Sequence, residues 1–233
     1  MKKLTQALLP LLISSQLFAI VGFGAYGNYD LLKYPSGTDS NSDGTLKVGY
    51  DGFNNAAGFG FLFYIDAIPV VDLEADVEFI GNAYKFTPYI GSVAQTQGEM
   101  PWGRVSIYLT VRKEILGLSI PLLAKTQLYA GLGFNNHTVL PVMTLDIFKA
   151  AFKTADIQTA LNEDFSSTDA VTKLSDYMLD NADKISGFHL QAGLRGKLLM
   201  LNAFVNARYT IAKDVIPDKS GYPSLWVGLA FGI

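Results

Sequence analysis

The sequence predicts an all-β fold, an eight-stranded antiparallel up-and-down transmembrane β-barrel with a helical insertion in its third outer loop. Three observations carry that reading. Eight segments of about ten residues alternate apolar side chains with polar or small ones at period two, the spacing that puts each set on its own face of a strand. The connections between them are alternately short and long. The apolar face carries essentially no charge, whereas one segment, VVDLEADVEF, concentrates four acids on its other face: Asp72, Glu74, Asp76 and Glu78.

The chain opens on MKKLTQALLPLLISSQLFA, in which Lys2 and Lys3 precede an apolar run from Ala7 to Ile13. That is the layout of a secretory signal peptide, and the apolar core is too short to span a bilayer. Residues 1–19 are therefore expected to direct export and to be removed after Ala19, leaving residues 20–233 as the barrel.

The first strand is expected from Ile20 to Tyr29, with Val21, Phe23, Ala25 and Tyr29 sharing a face. In the second, NAAGFGFLFYID, Ala57, Phe59, Phe61, Phe63 and Ile65 oppose Gly58, Gly60, Leu62 and Tyr64. The acidic segment is the third. The fourth, WGRVSIYLTVRK, sets Val105, Ile107, Leu109 and Val111 against Arg104, Ser106, Tyr108, Thr110 and Arg112. The fifth sets Ala124, Thr126, Leu128, Ala130 and Leu132 against Lys125, Gln127 and Tyr129. Phe188, Leu190, Ala192 and Leu194 oppose His189, Gln191 and Arg195 in the sixth. The seventh runs from Leu201 to Ile211 with Asn202, Asn206, Arg208 and Thr210 on its polar side. In the eighth, Leu225, Val227, Leu229, Phe231 and Ile233 oppose Ser224, Trp226, Gly228 and Gly232, and the chain ends on that strand. IPVV, EILGLSIP and KLLM read as the short turns.

Period two fits equally a soluble barrel whose greasy face lines a cavity. Composition favours the membrane. Hydrophobic residues make up 49% and charged ones 17%, against roughly 25% charged in an average soluble protein. The polar face is built of Gly, Tyr, Ser and Asn rather than the Lys and Glu of a solvated surface. A Lys or Arg at the bilayer midplane would cost about 2–4 kcal/mol on the apolar face. A net charge of −3 gives no reason to expect a nucleic-acid partner, and the absence of cysteine excludes disulfides and thiolate chemistry.

These segments resemble the small outer-membrane barrels typified by OmpA, OmpX and OmpW. The last residues, GLAFGI from Gly228 to Ile233, look like the C-terminal signal read by the barrel-assembly machinery, with a glycine followed by aliphatic and aromatic residues at alternate positions. The resemblance covers the whole exported chain at the level of architecture and implies an outer-membrane location, surrounding lipids and the assembly machinery as partners. It names no ligand or extracellular partner, because fold does not specify function.

Candidate site residues follow from sidedness. Asp72, Glu74, Asp76 and Glu78 should face Arg104 and Arg112, with Lys125, Arg195, Lys197 and Arg208 elsewhere on the wall. A barrel of eight strands is about wide enough to be filled by side chains, and unpaired ions there would be costly. A solid ionic core is the favoured reading and a narrow polar conduit the other. DSNSDG at Asp39 to Gly44 offers Asp39, Asn41 and Asp43 as calcium ligands, but Tyr50 stands where a bidentate carboxylate belongs, so a turn-rich surface loop is the simpler expectation. Between the fifth and sixth strands, the region 138–184 holds two helix-like stretches. One has Leu145, Phe148, Phe152 and Ala155 on a face; the other has Val171, Leu174, Met178 and Leu179. They would cap the mouth or pack on the rim. No catalytic residue is expected: His137 could sit near the outer rim without a serine at the spacing of lipid-modifying barrel enzymes, and His189 belongs with the inward face.

Overall fold

The computed structural model describes residues 20–66, 71–120, 123–152 and 167–232. The proposed signal segment, residues 67–70 with most of the expected IPVV turn, residues 121–122, residues 153–166 with Ala155, and Ile233 lie outside them. The strands are β1 (Ile20–Tyr34), β2 (Gly37–Ser40), β3 (Leu46–Tyr50), β4 (Phe53–Asp66), β5 (Asp72–Ile90), β6 (Val93–Ala94), β7 (Gly98–Ile120), β8 (Ala124–Val139), β9 (Asp183–Leu198), β10 (Leu201–Ile211) and β11 (Gly221–Gly232). Among the described residues, two helices, α1 (Leu145–Ala151) and α2 (Thr168–Asp180), lie between β8 and β9.

Eight strands close a ring in the order β1, β4, β5, β7, β8, β9, β10, β11, every pair antiparallel. Hydrogen-bonded partners lead around the wall from Ala124 through Leu198, Leu201, Phe231, Phe23, Phe63, Ala75 and Leu109, and return to β8 at Phe134. The stagger is thus ten residues for eight strands, which at ordinary strand rise and spacing tilts the strands by about 40° to the axis. Closure leaves the ring without a free edge where all eight strands overlap. Among the described residues no helix is long and apolar enough to cross a membrane; strands do the crossing.

Sidedness is unambiguous. Phe23, Phe59, Phe61, Phe63, Leu109, Phe134, Leu190, Val227 and Leu229 stand exposed on the outer wall, while Glu74, Asp76, Glu78, Arg104, Arg112 and Arg208 are buried within. An outward band of this kind costs free energy in water and nothing in acyl chains. Inside, glycines make room for rings: a Cβ on Gly60 would fall within 2.3 Å of the Tyr26 ring and one on Gly22 within 2.1 Å of Tyr64. That close approach is why the inward face is rich in Gly as well as Tyr.

Several elements run longer than the sequence pattern suggests. β5 and β7 continue far past the acidic and basic segments, to Ile90 and from Gly98. The stretch EILGLSI, expected as a turn, is instead strand paired with β8 to Ile120↔Ala124, after a register shift between Glu114 and Leu116. The shift points Leu116, Leu118 and Ile120 outward alongside Leu128 and Thr126. At the other end, the loop joining β1 to β4 contains the β2–β3 hairpin, whose β3 pairs with the extended β5. Asn55 takes φ +61° near an irregularity in the β1–β4 pairing, and beyond it Phe53 rather than Asn54 turns inward.

The helices complete the loop end. Thr144 and Ser167 cap α1 and α2 by accepting from the backbone N–H of Ile147 and Ala170. Leu145, Ile147 and Phe148 of α1, and Ala170, Leu174 and Met178 of α2, are buried with Tyr34, Phe53, Phe86, Trp102 and Ile216 in one apolar core. Leu179, expected on the buried face, is 61% exposed; the buried stripe instead runs through Ala170, one position before Val171.

Candidate functional site: the ionic core

β5 supplies Glu74, Asp76 and Glu78 at successive inward positions, about 6–7 Å apart along the strand. Each meets a guanidinium from another wall. Arg112 of β7 places Nη1 2.6 Å from Glu74 Oε2 and Nη2 2.7 Å from Asp66 Oδ1. Arg195 of β9 reaches Asp66 Oδ2 at 3.1 Å. Arg208 of β10 spans Asp76 Oδ2 at 2.9 Å and Glu78 Oε2 at 3.3 Å. Arg104 of β7 joins Glu78 Oε1 at 2.7 Å and Asp30 Oδ2 at 2.9 Å, and donates to the Tyr222 hydroxyl. Gln191 links two tiers, its Nε2 donating to Glu74 Oε1 at 2.7 Å while its Oε1 accepts from Arg208.

Tyrosine and tryptophan faces insulate these ions. Arg208 lies 3.7 Å from the centroid of the Tyr108 ring and 5.1 Å from Trp226, and Arg195 lies 4.2 Å from Tyr64. Such cation–π contacts suit a guanidinium, which is planar and weakly hydrated. Four buried carboxylates (Asp30, Glu74, Asp76, Glu78) thus face four buried arginines (Arg104, Arg112, Arg195, Arg208). Asp66 and Asp72 add charge only at the turn end, where their side chains are about a fifth exposed.

Of the residues expected on the inner wall, Glu74, Asp76, Glu78, Arg104, Arg112, Arg195 and Arg208 form this network. Asp72 approaches it at the mouth, 3.8 Å from Arg112 Nε. Lys125 stands apart: it pairs with Glu114 at 2.5 Å, both well exposed on the β7–β8 extension. Pattern reading missed Asp30 and Asp66. Both were within reach, since Asp30 continues the alternation of Tyr26 and Asn28, and Asp66 that of Leu62 and Tyr64. Tyr222 was missed because β11 begins before Ser224.

Asp39, Asn41 and Asp43 accept hydrogen bonds from the chain itself. Leu46 N–H donates to Asn41 Oδ1 at 2.9 Å, and the Thr45 hydroxyl and backbone N–H donate to Asp43 Oδ1 at 2.7 and 3.1 Å. Asp39 Oδ2 accepts from Leu145 N–H at 2.8 Å, at the first turn of α1. Among the described residues no group of three or more His, Cys, Asp or Glu side chains is gathered to hold a metal.

Both histidines are inside. His137 Nδ1 lies 2.8 Å from Ser106 Oγ, and its Nε2 lies 2.9 Å from Asn135 Oδ1. The serine absent from the local sequence thus arrives from β7, by the pairing Ser106↔His137. Ser106 is fully buried and His137 is 2% exposed, so the pair is sealed from solvent. His189 bonds Thr110 Oγ1 at 2.9 Å and meets Tyr108 edge-on.

No protein-family model matches the chain, and no curated protein sequence is similar to it. Among solved structures it is similar to the N-terminal β-barrel domain of Pseudomonas aeruginosa OprF at 10% identity, covering 92% of this chain and 97% of that one with a TM-score of 0.44. It is also similar to the outer membrane protein OprG of the same organism at 10% identity, covering 92% and 95% with a TM-score of 0.46. Ail of Yersinia pestis is 8% identical over 92% and 97%, with a TM-score of 0.39. The chain's own geometry, acyl-compatible outside and ion-paired inside a closed ring of eight strands, makes it a transmembrane β-barrel.

Proposed function

We propose that the protein is a non-enzymatic, non-conducting barrel of an outer membrane, exported with loss of residues 1–19 and inserted by the assembly machinery that reads its last strand. Its contribution is structural, or is made through the surface of its loops, with the helical insertion of region 138–184 at the outer side of the membrane. The observation that carries this reading is an interior closed by two successive fillings. The ionic tiers from Asp66 to Arg104 occupy the membrane-level lumen, and the apolar core around Trp102, Phe148 and Leu174 fills the loop end above them. An ion would have to displace at least one guanidinium from two carboxylates to pass.

The test is conductance. Purified protein in a planar bilayer should give no discrete current steps above background. Steps that survive repurification would overturn the reading and favour a narrow channel for small, partly apolar ligands. A water-soluble carbodiimide with a small amine should likewise modify Asp66 and Asp72 at the mouth and leave Glu78 unmodified in the folded barrel.

A further inference from the structure

Among the described residues the outer wall is indented near the β9–β10 turn, around Gly196 and Ala203, and again at the loop end of β4, β5 and β7, where a helix end covers the indentation. Ala57 pairs with Gly81, and Gly81 with Gly103, so a row of minimal side chains crosses three adjacent strands. Gly103 accepts in turn from Leu140 N–H at 2.9 Å. The row forms the floor of a groove of about 460 Å³, walled toward the membrane by Phe59, Phe79 and Val105 and closed toward the loop end by Leu179 and Ala182, at and just after the end of α2.

Its level identifies its occupant. Along β8 and β9 the outward residues change from Leu132, Phe134, Leu190 and Phe188 to Asn136, Thr138, Ser186 and Lys184, and the groove lies at this change, where acyl chains give way to headgroups. Water finds few partners on such a lining, whereas hydrocarbon needs none there. Lys184 pairs in register with Thr138, which lines the groove, and is exposed on the same outward face. It therefore offers a cation at the groove's edge, at headgroup depth.

We propose that this groove seats one acyl chain of a lipid from the surrounding leaflet, with the lipid's anionic headgroup held by Lys184. The roof provided by α2 distinguishes this lipid from its neighbours, which touch an open wall and exchange freely.

Native mass spectrometry of the full chain, released from micelles containing phosphatidylglycerol, tests the assignment. The wild type should keep one phosphatidylglycerol under activation that strips all others. G103L should lose it, because a Cβ at Gly103 meets only ordinary contacts, Ile80 O and Leu140 Cδ1 at 3.6 Å, so the new side chain fills the groove without disturbing the wall. A207L, which puts the same leucine side chain on the outer face of β10, should keep it. K184A should lose the preference for phosphatidylglycerol over phosphatidylcholine. L179D, altering the roof alone, serves should G103L not show the gel-mobility shift of a folded barrel, and it should also shed the lipid. Equal retention by wild type and the folded groove variants, or simultaneous loss of every lipid from the wild type, would overturn the proposal; an unchanged preference in K184A would overturn the headgroup assignment.

Discussion

Arg208 joins tiers of the interior, because it contacts Asp76, Glu78 and Gln191 at once. Arg208→Ala leaves Asp76 and Glu78 sharing too few cations inside a closed wall, and removing one partner of a buried pair costs about 3–5 kcal/mol. Urea unfolding in detergent should register a loss of that size. Lys149→Ala breaks only an exposed pair with Asp146, worth at most about 0.5 kcal/mol, and should leave the transition unmoved. Comparable losses in the two variants would remove the ionic core as a source of stability. Gly60→Val should be as harmful as Arg208→Ala for a steric reason, since its side chain would occupy the space of the Tyr26 ring; a folded G60V barrel with native Trp fluorescence would contradict that packing.

Elements away from the membrane obey ordinary soluble-protein rules. In the β2–β3 turn, the Thr45 hydroxyl and backbone N–H hold the Asp43 carboxyl below its usual range. A lowered folded-state value means that the turn's stabilisation is complete above the ordinary carboxylate pKa of about 3.9, persists somewhat below it and disappears as pH falls through the lowered value. Carboxyl NMR should show Asp43 titrating at lower pH in the wild type than in Thr45→Val; coincident midpoints would refute the hydrogen-bond origin. On α2, Ser167→Ala removes the cap on Ala170 N–H and should cost about 1 kcal/mol of local stability, seen as faster amide exchange in the first turn of α2 with β5 and β7 unaffected. Ser167, Thr168 and Asp169 mark the start of this helix in the sequence, but the sequence does not mark its final orientation. Leu179 was assigned inward because only periodicity was available, whereas the packing of Leu174 and Met178 against the loop-end core turned it outward.

At the scale of the whole molecule, the barrel has two interiors. The membrane-level half is ionic inside because the period-two pattern puts its charged side chains on the face turned away from lipid, where carboxylates and guanidinium groups pair with one another. The loop-end half is packed with Trp102, Tyr84, Phe86 and Met178 like a soluble domain. Replacing residues 141–181 by a short polar linker should uncover that core. Dye binding to exposed apolar surface should then rise while the membrane-level strands keep the gel mobility of a folded barrel; loss of the barrel itself would show that α1 and α2 are needed for closure.

What the sequence determined alone is sidedness. Period two assigned Glu74, Asp76, Glu78, Arg104, Arg112 and Arg208 to one face, since a strand has only two faces and only one of them tolerates charge beside acyl chains. It could not assign partners, because Arg208 and Asp76 stand 132 positions apart and meet only once the ten-residue stagger fixes which rungs share a level. The same closure joined Asp30 to Arg104 across the lumen, while the register between neighbouring strands brought Ser106 to His137 and aligned Ala57, Gly81 and Gly103 under the end of α2. None of these leaves a local trace. Faces are a property of a strand, but neighbours are a property of the ring.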